Sequence, residues 1–315
     1  MREKIIKLKN NGTLIYSKSN LNNSTAVEVG FFCGAYNDTK LGTAHFLEHT
    51  LFKKTQNRDN STIENDRNTI AFLNAMTSPD YVLVNFFRSN KLINESMEFA
   101  EDVLMNSIID DEYLESEKGV ITEELNMCLD SESRNIHRLM LKNCQTKALV
   151  ASDLVGQSPE NISNITFEDL KKYKEDFFIG NNFVISVESS LSFSKIKRLV
   201  NKYFVKNIPS KESAKQPKQH YKDIRIDKEP SLIIQTNTQE KTTVMISFKL
   251  DRNEEYMKDH ANYTYIAMHF SGEIGNLFLT LRNKGLIYRL SSNYSCFHTD
   301  SLFNIVFETD RKSVV

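Results

Sequence analysis

The sequence predicts an α+β protein of two related domains, each a mostly antiparallel sheet packed by helices. Three observations predict it. Short β-patterned runs separated by tight turns open the chain, which favours antiparallel neighbours. Long helical periodicities follow them. A polar stretch at 206–222 holds Pro209 and Pro217 and few apolar residues, and after it a similar mixture of strands and helices begins again. The expected organisation is a first domain over 1–205, a linker over 206–222 and a partial second domain over 223–315.

The elements follow in order. Residues 5–8 alternate apolar and basic side chains, 14–16 follow the turn Asn10-Asn11-Gly12, and 26–33 form a longer run rich in Val and Phe, closed by Gly34. These are three strands. Within 42–52, Ala44, Leu47, Leu51 and Phe52 recur at helical spacing. A second helix is expected over 61–72, with Asn60 or Ser61 as its cap. Residues 73–77 and 81–88 read as strands joined at Ser78-Pro79-Asp80. From 91 to about 147 the pattern is helical, with no proline and only Gly119, and the charged run 110–117 is a solvated helix face. Thr166 caps a helix that runs to Phe177, 183–188 is a strand and 193–204 a helix. In the second domain, strands are expected at 231–235, 242–250, 286–296 and 302–307, and helices at 256–270 and 274–283.

Charge excludes some functions. Forty Lys and Arg stand against 41 Asp and Glu, a formal net charge of −1. Such balance gives no electrostatic footprint for nucleic acid or a membrane surface, and neither is expected as a partner. No apolar run reaches the length of a bilayer span, and the alternating start lacks the apolar core of a signal peptide, so a cytoplasmic location is expected. Cys33, Cys128, Cys144 and Cys296 form no C-x-x-C pair and read as free thiols.

The chemistry lies in His45-Phe46-Leu47-Glu48-His49. On a helix, residues four apart share one face, so both imidazoles can reach one metal ion, with the Glu48 carboxylate close by. Zinc takes neutral imidazoles and keeps an open position for water, from which a nearby carboxylate can take a proton. This H-x-x-E-H order is the inverted form of the H-E-x-x-H zinc helix. A third ligand is needed, and Glu117 and Glu124 are candidates, two helical turns apart on one face. Glu123 and Glu124 point about 100° apart, so only one of them can face the metal. A solvated helix with two histidines and an acidic surface helix are the alternatives.

The stretch from Gly42 to Thr55 resembles the active-site helix of the pitrilysin (insulinase) family of zinc peptidases. Glu124 stands 75 residues after His49, and Glu117 seven residues before Glu124, spacings that resemble the family's glutamate segment. The resemblance implies one zinc ion on His45, His49 and Glu124. It implies Glu48 as general base and Glu117 as a carboxylate that orients a ligand. Leu73-Asn74-Ala75-Met76-Thr77 resembles the family's edge strand, which implies that Asn74, Ala75 and Thr77 bind substrate backbone by β-augmentation. The segment from Leu281 to Tyr288 resembles the one whose Arg and Tyr reach the substrate, implying Arg282 and Tyr288. Its spacing is one residue shorter than the family pattern.

The family pairs two similar domains, and 223–315 is too short to complete the second. Residues 310–315 match one reading frame of a common sequencing-adapter oligonucleotide, so a truncated gene model is expected. The implied activity is zinc-dependent endopeptidase hydrolysis of short or unfolded peptides, alone, as a homodimer or with a second family subunit. The alternative is a non-catalytic, peptide-binding partner subunit, which typically lacks the H-x-x-E-H residues.

Overall fold

A computed structural model describes residues 3–20, 23–70, 72–143, 154–211, 241–250, 256–271, 276–296 and 301–310. The chain forms two compact units, one of 1–127 with 153–218 and one of 128–152 with 219–315. The described residues 128–143 group with the second unit. Most of the expected linker, and the strand expected at 231–235, lie outside the described residues.

The first unit is built on a six-stranded sheet. Its strands are β1 (Glu3–Lys7), β2 (Thr13–Lys18), β3 (Ser24–Phe31), β4 (Phe72–Thr77), β5 (Val82–Ser89) and β6 (Phe183–Ser189), in spatial order β1-β2-β6-β3-β5-β4. All neighbours are antiparallel except β2 with β6. The three opening strands thus do not form one continuous meander, because β6 inserts between β2 and β3. The driving force is burial: Phe183, Ile185 and Val187 of β6 point into the core between Leu14 and Tyr16 on one side and Val27, Val29 and Phe31 on the other. Phe31 also stacks on Phe178 at 4.3 Å. Among the described residues β4 pairs with β5 alone, at the edge of the sheet.

The helices of this unit are α1 (Thr43–Leu51), α2 (Asn60–Thr69), α3 (Ile93–Met105), α4 (Asp111–Asp130, in this unit up to Met127), α6 (Pro159–Ser163), α7 (Phe167–Phe177) and α8 (Phe193–Val200); α5 (Glu132–Asn143) lies in the second unit. The helical pattern expected from 91 to about 147 is three helices over its described residues, 91–143. It breaks at 106–110 because that segment pairs with the chain after α1: Gln56 N donates to Asn106 O (3.0 Å) and Ile108 N to Lys54 O (2.8 Å). Asp110, read as part of a solvated face, accepts from Tyr113 N (3.0 Å) and starts α4. The cap of α2 is Asp59, accepting from Thr62 N (2.8 Å), in place of Asn60 or Ser61. Thr166 caps α7 as expected, in a reciprocal box with Asp169.

The second unit has β7 (Lys241–Leu250), β8 (Arg289–Cys296) and β9 (Ser301–Asp310), antiparallel in the order β7-β9-β8, with α9 (Tyr256–Phe270) and α10 (Asn276–Asn283). Phe278, Ile287 and Leu290 form its buried cluster, with Leu281, Ile305 and Phe307 against it. No described helix is long and apolar enough to cross a membrane. Cys33 and Cys128 are free thiols.

Candidate metal centre

The site begins with the start of α1. Gly42 has φ 92°, and a Cβ there would sit 2.9 Å from the Gly156 Cα. Only glycine fits, and glycine has no side chain with which to cap the helix. Asp38 does this from the preceding turn: its Oδ2 accepts from Gly42 N (2.8 Å) and its Oδ1 from Ala44 N (2.9 Å). Ala44, Phe46, Leu47 and Leu51 are fully buried, which fixes the rotation of α1. His45, Glu48 and His49 are left on one side of it, and α4 brings Glu117 and Glu124 to them.

Three donors converge. Glu124 Oε2 lies 3.7 Å from His45 Nε2 and 3.4 Å from His49 Nε2, and the two rings are 4.7 Å apart. One ligand atom from each of His45, His49 and Glu124 lies within 4.8 Å of the others. Tetrahedral ligands about 2.0–2.2 Å from a zinc ion are about 3.3–3.6 Å from one another, so these separations suit such a set. Behind it, Glu117 Oε2 meets His49 Nδ1 at 3.2 Å. With the hydrogen on Nδ1, the Nε2 lone pair is left facing Glu124. Glu117 is only 3% exposed, and its other oxygen pairs with Lys53 Nζ at 2.5 Å.

Electrostatics point the same way. Burial first, and then the neighbouring His49, push His45 down to about 4, which keeps its imidazole neutral. His49 is raised: burial works against its charge, but the carboxylates of Glu124 and Glu117 outweigh it. Burial raises Glu48, against a hydrogen bond from Thr77 Oγ1 to its Oε2 (2.7 Å). Glu48, Glu117 and Glu124 gather around the two imidazoles, with Lys53 against Glu117. Two imidazoles and a carboxylate match the donor set of a zinc site, and a metal ion on the Nε2 of His49 would take the place of the proton that its carboxylates favour.

The substrate candidates divide between the units. Phe72, Asn74 and Met76 are exposed on one face of edge strand β4. Ala75 is partly buried, and Thr77 is buried against Glu48. Arg282 and Tyr288 belong to the second unit. There Arg282 Nη1 donates to the Tyr288 carbonyl (2.8 Å), and the Tyr288 hydroxyl meets Asp310 Oδ1 at 2.5 Å. Sequence reasoning missed Lys53 and Asp38. Lys53 is four residues after His49 but lies just past the end of α1, so helix spacing gave no clear signal for it. Asp38 is an acidic residue four before the helix-opening Gly42, a weak cue.

Comparisons with known proteins complete the picture. The family description "Insulinase (Peptidase family M16)" matches residues 14–154, and "Peptidase M16 inactive domain" matches 164–315. The mitochondrial-processing peptidase subunit beta of Saccharomyces cerevisiae is 30% identical over 200 residues, covering 61% of this chain and 42% of that protein. A Bacillus subtilis protein called uncharacterized zinc protease YmxG is 28% identical over 184 residues, 58% of this chain and 44% of that protein. The chain therefore spans less than half the length of these relatives. A solved protease from Helicobacter pylori superposes with a TM-score of 0.86 at 18% identity, covering 98% of this chain and 75% of that one. Pitrilysin superposes at 0.74 with 16% identity, covering 99% of this chain and 34% of that one. With its two halves matched to two domains of one peptidase family and its fold shared with solved proteases, the chain belongs to the insulinase family, M16.

Proposed function

We propose that the chain is the catalytic part of a zinc-dependent endopeptidase that hydrolyses short or unfolded peptides. The observation that carries this reading is the convergence of His45, His49 and Glu124 beside Glu48 and the sheet-edge strand β4. His45, His49 and Glu124 would hold one zinc ion, which when bound supplies a Lewis acid and makes a water acidic enough to attack near neutral pH. Glu117 orients His49 through Nδ1. An extended peptide pairs with N–H and C=O groups of β4, along Asn74 and Ala75. Glu48 takes a proton from the attacking water and delivers it to the leaving amine nitrogen. Its raised affinity for a proton, set by burial, suits both steps.

Zinc content and cleavage of a quenched fluorescent peptide library, with and without chelator, test the reading. Glu48→Gln should retain zinc and lose turnover by at least about 100-fold. Near-normal turnover in that variant would reject Glu48 as the base. A peptide-binding partner subunit is the second reading, favoured by the subunit named among the relatives and by the inactive-domain match of the second half. Zinc binding and peptide binding without cleavage by this chain, restored by a second family subunit, would support it.

A further inference from the structure

We infer that Thr77 is a positioning residue for Glu48, so that the edge strand that seats a peptide also sets the catalytic base. The inference rests on the reading of Glu48 as that base. Resemblance alone makes Thr77 a substrate contact, yet its side chain is turned inward. Thr77 is 7% exposed, and its hydroxyl donates to Glu48 Oε2 at 2.7 Å. This bond fixes one oxygen of the Glu48 carboxylate, which otherwise sits on a side chain with three rotatable bonds.

The surrounding chain holds this pair together. The turn after Thr77 is clamped to the loop that leads into α1: Ala35 N donates to Ser78 O (3.1 Å) and Tyr36 N to Pro79 O (3.0 Å). The approach is so close that a Cβ on Gly34 would stand 2.3 Å from Ser78 O, which requires glycine there. Asp38, in the same loop, binds the first N–H groups of α1. One short loop therefore ties the end of β4 and the start of α1 together. The Thr77–Glu48 bond closes the ring between them. Peptide pairing along Asn74 and Ala75 then occurs on a strand whose last residue already orients the base.

Thr77→Val, Thr77→Ala and Thr77→Ser, made in the full chain, test this. Bound zinc, thermal melting, and kcat and KM on a fluorogenic peptide would be measured for each. Val and Ala should lower kcat together by roughly 10- to 100-fold, the loss of one hydrogen bond to a charged group. KM, zinc content and melting should stay near the wild-type values, and Ser should restore most of kcat. A rise in KM with kcat unchanged would overturn the inference and make Thr77 a substrate contact. A loss in Val with none in Ala would overturn it as well, since packing would then be the cause. Failure of the underlying reading looks different: the wild-type chain would bind zinc and cleave nothing, or Glu48→Gln would cleave normally.

Discussion

Among the described residues, the first unit buries charged side chains, whereas the second buries only uncharged polar ones, Ser301, Asn304 and Thr309. In the first, Asp102 is 1% exposed and receives Thr55 Oγ1 (2.7 Å), Asn57 Nδ2 (2.6 Å), Arg58 Nη1 (2.6 Å) and Asn106 Nδ2 (3.0 Å). Glu117 is likewise shared between His49 and Lys53. In the second, Ile246 and Phe248 of β7 remain 44% and 50% exposed, and Arg282 and Tyr288 make their bonds at the surface. Of the candidate metal centre, His49 and Glu117 sit where buried partners hold the side chain, which a metal site needs in order to keep its donors within a fraction of an ångström. Exposed pairs contribute little to stability, so the bonds of Arg282 and Tyr288 add little to the second unit.

The largest effect should come from breaking the first unit's buried network. Asp102→Ala leaves Arg58, Thr55 and Asn57 without their common acceptor and should cost about 3–5 kcal/mol. Two units need not unfold together, so the readout is amide hydrogen exchange in β3 and β5, where protection should fall, while β9 stays unchanged. Equal loss in both units would break the contrast. The pH dependence has a definite sign. Burial raises the Asp102 carboxyl, but the hydrogen bonds from Thr55, Asn57, Arg58 and Asn106 outweigh it and hold it below its ordinary value. A depressed carboxyl contributes stability that is complete above its unfolded pKa and lost as pH falls through the folded one. The first unit should therefore lose protection below the ordinary carboxylate range, and Asp102→Ala should flatten that acid limb.

The next effect concerns the metal. Glu117→Gln keeps the shape of the side chain but weakens its hold on the His49 Nδ1 hydrogen and on Lys53. Zinc affinity, measured by competition with a chromophoric chelator, should fall by roughly 10- to 100-fold. Unchanged affinity would reduce Glu117 to an ion-pair partner of Lys53 and remove the link between burial and chemistry in the first unit.

Much of this was legible in the sequence because it is local. The i, i+4 histidines fall on one helix face whatever surrounds them, and Thr166 caps its helix through a bond three residues away. The strands of the second unit follow from alternation, with 242–250 expected and Lys241–Leu250 found. The misreadings were non-local. The insertion of β6 between β2 and β3 joins residues about 170 positions apart, which no periodicity encodes. The break at 106–110 depends on backbone bonds to 54–56, and the sequence there holds neither proline nor glycine to announce it. Thr77 was singled out, but its role was not, since the direction of its hydroxyl depends on how α1 packs beneath β4.

The smallest effect belongs to the second unit. Tyr288→Phe removes one exposed hydroxyl bond to Asp310 and should change stability by no more than about 0.5 kcal/mol, with β8 and β9 keeping their exchange protection. Zinc affinity should not change either, since none of the three converging donors comes from this unit. With folding and metal both held constant, kcat/KM on a peptide isolates the substrate role. A fall in kcat/KM in Tyr288→Phe would assign the hydroxyl to the reacting peptide. Wild-type kcat/KM would leave Tyr288 as a surface partner of Asp310, and the division between a chemical first unit and a supporting second one would then be complete.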